Sequence, residues 1–436
     1  MYNASPDAYK QMMAQDSVGD IDKPADAVTL TFFGQNVVTS TGAMWKKHRK
    51  IAAPAFNQET YADVWNVTAS LYHQMQSSEA WKAGDVINFP AFNRFTTRMA
   101  LLVIAACGFD MRIGWEESPS YPGLHSTIDQ VIVTVSSNLL IRIVAPEWVL
   151  SIPSAAMRTI KVAYADLRQY LTAEISSKRA DVQKRKAVGG MTESTDRNVF
   201  GRLVAASEAE GSAGLDESEL MGNLFIFLFA GHETTAHTLV VTLALLAVHP
   251  EEQERIYRHV SDVVGDREPT FQDFSDLNPV LHAFSEAMRL YPPAYVQIRS
   301  PTADVVIQYN DVDRPEITHD VFVAKGTMMC MDQVGLNRNP RMFPQPDEFI
   351  PSRWDGKTTD DLLPFSFGPR VCLGKKFALV EAVCFLTHLL RDWRVEIDLS
   401  GFASFQDWRA EHLYPTMGVT LKTGDVPLRM VKRSRC

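Results

Sequence analysis

Apolar residues recur at helical spacing along most of this chain. The period is readable in 64–75, 91–107, 127–143, 155–179 and 198–206. A further helix is expected over 281–290, stopped by Tyr291-Pro292-Pro293, and another from Lys375 onward. The run 224–248 differs, being apolar all round. That pattern suits a helix buried in a large protein, or one that crosses a bilayer. Glu233, with His232 and His237 close by, would be costly at mid-membrane depth, so a core helix is expected. Strand signals are sparse: 305–309, 321–324, 395–397 and 419–421. The polar stretches 181–197 and 208–216 read as exposed connectors. The fold class is therefore mainly α, helix-rich with small β-sheets, and the chain shows no internal repeat.

Composition narrows the functions open to it. The 436 residues can bury a large core, and their net charge of −9 argues against nucleic acid as a partner. The basic run Trp45-Lys46-Lys47-His48-Arg49-Lys50 has no nucleic-acid motif beside it. The five cysteines contain no CxxC pair, which weakens zinc, dithiol and disulfide-framework readings. Cys107, Cys330 and Cys384 lie in apolar surroundings and read as small buried hydrophobes. Cys436, at the basic C-terminus, reads as exposed and incidental. Cys372 is different. It lies in Phe365-Ser366-Phe367-Gly368-Pro369-Arg370-Val371-Cys372-Leu373-Gly374, just before a helical pattern. A helix N-terminus and the nearby Arg370 favour a thiolate, and Gly368 and Gly374 allow close backbone approach. One thiolate with no partner cysteine is the donor set of an axial haem ligand.

That run resembles the haem-binding loop of the cytochrome P450 family, Phe-x-x-Gly-x-Arg-x-Cys-x-Gly, and matches every defining position. Three other stretches agree. Glu286-Ala287-Met288-Arg289, followed by Tyr291-Pro292-Pro293, is similar to the end of the family's K helix. Phe349-Ile350-Pro351-Ser352-Arg353-Trp354 resembles the segment that supplies a second arginine, with Trp where Phe is commoner. Ala230-Gly231-His232-Glu233-Thr234-Thr235 resembles the central I helix, where Gly231 and Thr234 would open a local groove. Trp45 and Arg49, one helical turn apart, resemble the C-helix pair that holds a haem propionate.

The resemblance implies a P450 fold with residues 1–436 as one haem domain, since the motifs must meet at one cofactor. It implies haem b (iron protoporphyrin IX), with Cys372 as the metal ligand. Trp45, Arg49, Ala230, Arg299, Phe365, Arg370 and Gly374 would bind the cofactor. Glu286, Arg289 and Arg353 would form a structural triad, and Glu233 and Thr234 would be the catalytic proton-delivery pair. The activity implied is insertion of one oxygen atom of O2 into a lipophilic substrate. Segments 29–37, 225–230, 294–298 and 414–417 would line its pocket. The chain shows no GxGxxG fingerprint, so electrons are expected from NADPH through a separate reductase. Lys46, Lys47, Lys50, Lys375 and Lys376 are the expected docking residues for this acidic flavoprotein. A haem-thiolate isomerase or dehydratase is the alternative that the Glu233–Thr234 pair speaks against. A truncated, non-catalytic product is the other alternative.

One departure stands out. Ahead of the basic run the family's apolar anchor, first helix and first sheet strands are not visible in the sequence. The family otherwise points to the cytosolic face of the endoplasmic reticulum membrane. The apolar region 141–152, with Trp148 and Leu150, is read equally as peripheral membrane contact or as core packing.

Overall fold

The periodic segments become helices with caps that their sequences explain. The 64–75 pattern lies within the helix Gln58–Gln76, which starts at Asn57, whose side chain accepts from the Thr60 N–H at 3.1 Å. Asn198 does the same for Val199–Ala209, accepting from Gly201 N–H at 2.6 Å. The single helix expected over 127–143 is two, Ile128–Ser137 and Leu139–Val144. The break is at Asn138, whose amide donates back to the Thr134 carbonyl at 2.8 Å. Residues 181–187, expected in a connector, continue the helix Ala155–Ala187. Their Gln, Lys, Arg and Ala side chains favour helix even where the apolar period fades. In the second expected connector, a 3-10 turn occupies Gly211–Ala213. This computed structural model describes residues 1–15, 19–24, 30–187, 198–311, 314–397, 399 and 401–434. The remainder of the first connector, and Cys436, lie outside them.

The chain divides into two compact units. One comprises Met1–Ala27, Ala83–Thr96 and Thr234–Cys436; the other comprises Val28–Lys82 and Thr97–Glu233. All strands among the described residues belong to the first. Its four-stranded sheet runs in the order Tyr2–Asn3, Met329–Asp332, Val296–Pro301, Ile21–Asp22. Tyr2 pairs in parallel with Cys330, Arg299 lies antiparallel to Met329, and Ile21 is opposite Pro301. Val305–Asn310 pairs with Thr318–Val323, and Thr416–Met417 with Leu421–Lys422. Leu428–Lys432 is the middle strand between Val86–Phe89 and Trp393–Glu396. The helix Pro6–Gln15 packs Tyr9, Met12 and Met13 into a core with Ile21, Met329, Met331 and Leu363. So a helix and two strands precede the basic run, in a stretch whose apolar pattern announces none of them. Cys330, expected in a buried place, is half-buried on its strand, whereas Cys107 and Cys384 are buried.

Helices are the regular secondary structure found among the second unit's described residues. Ala155–Ala187 packs on Ile128–Ser137 and on Val199–Ala209, and Gly42–Ala52 also packs on Val199–Ala209. The helix Glu217–Val248 begins in this unit and ends in the other. It is long and apolar enough to span a bilayer, but 72% of its most apolar window is buried within the protein. That burial fits the core helix expected from Glu233 and its neighbouring histidines.

His237, on this helix, is buried, and burial pushes its pKa from 6.5 down to about 4, with Lys422 adding to the shift. The folded protein therefore holds it neutral, whereas the unfolded chain binds a proton near pH 6.5. Its contribution is intact above pH 6.5 and is lost as pH falls toward 4, about 3 kcal/mol in all. Melting curves between pH 7 and pH 4 should show His237→Leu losing less stability than the parent. Parallel curves for the two proteins would refute the assignment.

Candidate active site

The Cys372 loop is shaped by its own backbone. Cys372 N–H donates to the Phe365 carbonyl at 2.9 Å, and Val371 N–H donates to Gly368 O at 3.1 Å. Gly368 has φ +72° and passes so close to the N-terminal helix that a Cβ would lie 2.3 Å from the Met13 carbonyl oxygen. A side chain is excluded there on both counts. The helix Lys375–Asp392 starts three residues after the sulfur, so Cys372 lies at a helix N-terminus. Its side chain is exposed, and a Cβ on Gly374 would approach Sγ to 4.0 Å. At that distance an added methyl would only rest against the sulfur. Phe365 is buried behind the loop.

Two of the expected propionate cations stand in the same unit. Arg299 is buried on its strand, donating to Ile298 O at 2.8 Å and resting 3.6 Å from Met13 Sδ. Ser366 Oγ reaches the same sulfur at 3.7 Å and Gln297 Oε1 at 3.3 Å, which ties the loop to that strand. The Arg370 side chain is almost fully buried and pairs with Asp22 at 3.0 Å. Asp22 and Met13 carry no sequence signal: they act through a two-residue strand and a helix brought in from the far end of the chain. One accessible sulfur and two nearby guanidiniums suit an iron porphyrin, which presents a metal and two carboxylates.

Glu286, Arg289 and Arg353 come together, the first two fully buried and the third with its side chain 8% exposed. Glu286 Oε1 accepts from Arg289 Nη2 at 2.8 Å, Arg353 Nε at 2.8 Å and Ile350 N–H at 3.0 Å. Its Oε2 accepts from Arg289 Nε at 2.9 Å and from the Trp354 indole N–H at 3.0 Å. Trp354 is thus a fourth member, and its indole provides a bond that phenylalanine could not. Arg289 spends its remaining donors on the carbonyls of Asn337, Pro346 and Glu348. Arg353 ties down those of Pro344 and Gln345. The helix Asn278–Leu290 also packs on Leu363–Phe365 and on Lys375–Asp392, the two flanks of the cysteine loop. The network therefore braces the element on which that loop rests.

In the other unit, Gly42–Ala52 presents Trp45, which is buried, and Arg49, half-buried one turn further on. His48, to which the sequence assigned nothing, fixes this helix. Asn223 accepts from Val37 N–H at 2.9 Å, so its amide nitrogen faces His48 Nδ1 at 2.7 Å. Nδ1 must then accept, which leaves the proton on Nε2, directed to Glu219 at 3.5 Å. Burial lowers the His48 pKa and favours this neutral form. Lys47 completes the cluster on Glu219 at 2.6 Å.

Glu217–Val248 runs unbroken as α-helix through Ala230, Glu233 and Thr234, all half-buried. The groove expected at Gly231 takes another form: the missing side chain makes room for Ile104, whose atoms would lie 3.0–3.1 Å from a Cβ. The Thr234 carbonyl accepts from Thr238 Oγ1 at 2.9 Å. His232 is buried and bonded to Leu228 O.

The segments expected to line a substrate pocket fall in both units. Residue 29 lies outside the described residues. Phe33 and Phe225 are buried with ring centroids 4.6 Å apart, and Phe33 stacks on Tyr164. Tyr295 donates to Gly418 O at 2.9 Å, and Tyr414 and Met417 are exposed. Of the expected docking lysines, Lys46 is exposed and Lys50 pairs with Glu210. Lys375 bonds Asp360 at 2.8 Å, while Lys376 is half-buried with its ammonium 3.6 Å from the Phe274 ring centre. Val144 and Trp148 are 72% and 67% exposed, so core packing does not describe the 141–152 region.

A cytochrome P450 family model matches residues 1–417. The chain belongs to the cytochrome P450 family. It is 33% identical to cytochrome P450 monooxygenase 124 of Postia placenta, over 93% of this chain and 78% of the relative. It is 27% identical to the cyclooctat-9-en-7-ol 5-monooxygenase of Streptomyces melanosporofaciens, over 83% and 73% of the two chains. The crystal structure of the cytochrome P450DA heme domain superposes with a TM-score of 0.74 at 22% identity, covering 99% of this chain and 88% of that one. The fold is thus that of a P450 heme domain, mainly α with small sheets. The protein is a P450 monooxygenase, an oxidoreductase whose family works with haem.

Proposed function

We propose that this P450 inserts one oxygen atom of O2 into a lipophilic substrate, with Cys372 as the thiolate ligand of haem iron and residues 1–436 acting as one haem domain. The observation that carries the proposal is the exposed Cys372 sulfur at a helix N-terminus, in a loop that Gly368 lets pack closely on the Met13 backbone. When bound, haem supplies dioxygen activation and oxygen transfer to a C–H bond. The chain holds and orients. Cys372 would donate charge to the metal, and Arg299, Arg370, Trp45 and Arg49 would hold the carboxylates. Glu233 and Thr234 carry protons: Thr234 Oγ1 holds a water, and the Glu233 carboxylate recharges it.

Electrons come, on this reading, from NADPH through a separate flavoprotein. Exposed Lys46 and Lys50 are the better-placed docking cations, because Lys376 is half-buried against Phe274. The exposed Val144 and Trp148 support peripheral contact with a membrane, and the endoplasmic reticulum surface is the proposed location.

Haem-loaded protein, reduced and exposed to carbon monoxide, should give the thiolate-type Soret band. With NADPH and a P450 reductase it should oxidise a lipophilic substrate. Thr234→Ala should keep that band and continue to consume NADPH while product per NADPH falls about a hundredfold, the low end of what a positioned proton-transfer group contributes. Coupling equal to the parent would remove Thr234 from proton delivery, and a histidine-type band in the parent would refute the proposal.

A further inference from the structure

A second candidate site lies in the unit that carries the Cys372 loop but shares no lining residue with that loop. It is a cleft of about 320 Å³ where the end of the helix Asn278–Leu290 meets Gln333–Asn337, Phe405–His412 and the strand Leu421–Lys422. Leu290, Val334, Leu413 and Leu421 give it apolar walls, and its charged lining residues are Arg338 and Arg409. No Asp or Glu lines it, in a chain with a net charge of −9.

Each guanidinium is anchored and has donors to spare. Arg409 Nε donates to the Tyr291 hydroxyl at 2.7 Å, and its guanidinium lies over the Tyr291 ring. Neither of its Nη groups has a protein partner among the described residues. Arg338 Nη2 donates to the Leu290 carbonyl at 3.2 Å, which caps that helix end. Its Nη1 stands 3.7 Å from Asp347, itself 72% exposed. The Arg338 Nε is buried and makes no hydrogen bond. Capping and the tyrosine contact each explain one donor; the Arg338 Nε is shielded from solvent, so the donors left for a ligand are Nη groups, those of Arg409 above all.

We propose that this cleft binds a small amphipathic carboxylate. The carboxylate meets Arg409 and Arg338, and an alkyl or aryl body rests on the four apolar side chains. The chemistry selects this class. A neutral hydrocarbon would leave the guanidinium donors unused, and a compact inorganic anion would leave the apolar walls bare. The volume suits a ligand the size of a phenylalkanoate.

The test uses the haem-loaded protein saturated with 4-phenylimidazole, which occupies the iron site. Calorimetric titration with 4-phenylbutyrate should show saturable 1:1 binding, with Kd on the order of 1 mM or below. The neutral 4-phenylbutanol should bind at least ~tenfold more weakly. Arg409→Gln should weaken 4-phenylbutyrate by a similar factor. Ala410→Trp, at an exposed position on the cleft wall, should block it while leaving the haem spectrum intact. Absence of saturable binding, equal affinity for the alcohol, or unchanged binding in both variants would overturn the proposal. So would displacement of 4-phenylimidazole by 4-phenylbutyrate, which would place the ligand at the iron site.

Discussion

Replacing Cys372 with alanine should abolish the thiolate-type Soret band of the reduced, carbon monoxide-bound protein and bring NADPH-driven oxygenation to background. Cys372→His should restore haem binding but give a histidine-type band with no oxygenation. Imidazole can hold iron, but it lacks the thiolate's electron donation that favours O–O cleavage. The structure makes this a sharp test. Cys107 and Cys384 are buried, and Cys330 sits on a paired strand where burial raises its pKa. Among the described cysteines, only Cys372 is exposed, and it alone lies at a helix N-terminus. An unaltered Soret band in Cys372→Ala would transfer the metal to another ligand and end the proposed assignment.

Glu286→Ala should be the most damaging substitution away from the cysteine loop. It removes a carboxylate that accepts from Arg289, Arg353, Trp354 and the Ile350 backbone, and strands two buried cations. Breaking such a pair costs about 3–5 kcal/mol, enough to empty most marginal folded states. Little haem-loaded protein should be recovered. Trp354→Phe is the graded control. It keeps the aromatic packing on Phe343 and loses one bond to a charged acceptor, costing about 1.5–3 kcal/mol. Its melting temperature should fall by several degrees while the Soret band of loaded protein stays in place. If Trp354→Phe melted with the parent, the indole bond would carry no stability. If Glu286→Ala loaded haem normally, the network would not support the loop.

What the sequence revealed and what it hid follow from how each residue works. The Cys372 loop, the Glu286–Arg289 pair and the Trp45–Arg49 pair are local: each lies on one loop or one helix turn, so spacing exposes it. Arg353 was visible only by resemblance, because its partner is far off along the chain. Asp22, Met13, His48 and Asn223 were silent for the same reason. Asp22 and Met13 are ordinary residues until folding brings them against Arg370 and Ser366, and so are His48 and Asn223 until they meet each other. The strands Tyr2–Asn3 and Ile21–Asp22 are too short to show alternation, and only their pairing partners define them. Trp354 stands out in the sequence only as Trp where Phe is commoner; its contribution is one indole N–H that no pattern of apolar positions records.

The reach of the Glu286 network has a consequence for how the protein is made. Arg353 follows Glu286 by 67 residues, and Arg289 closes on carbonyls as far along as Glu348. A ribosome therefore releases the acid well before the second cation that neutralises it. Until the later stretch emerges, the helix bearing Glu286 has every reason to stay in water. Cofactor capture is then deferred until the segment that closes this network and the cysteine that follows it have left the exit tunnel, which they do almost together.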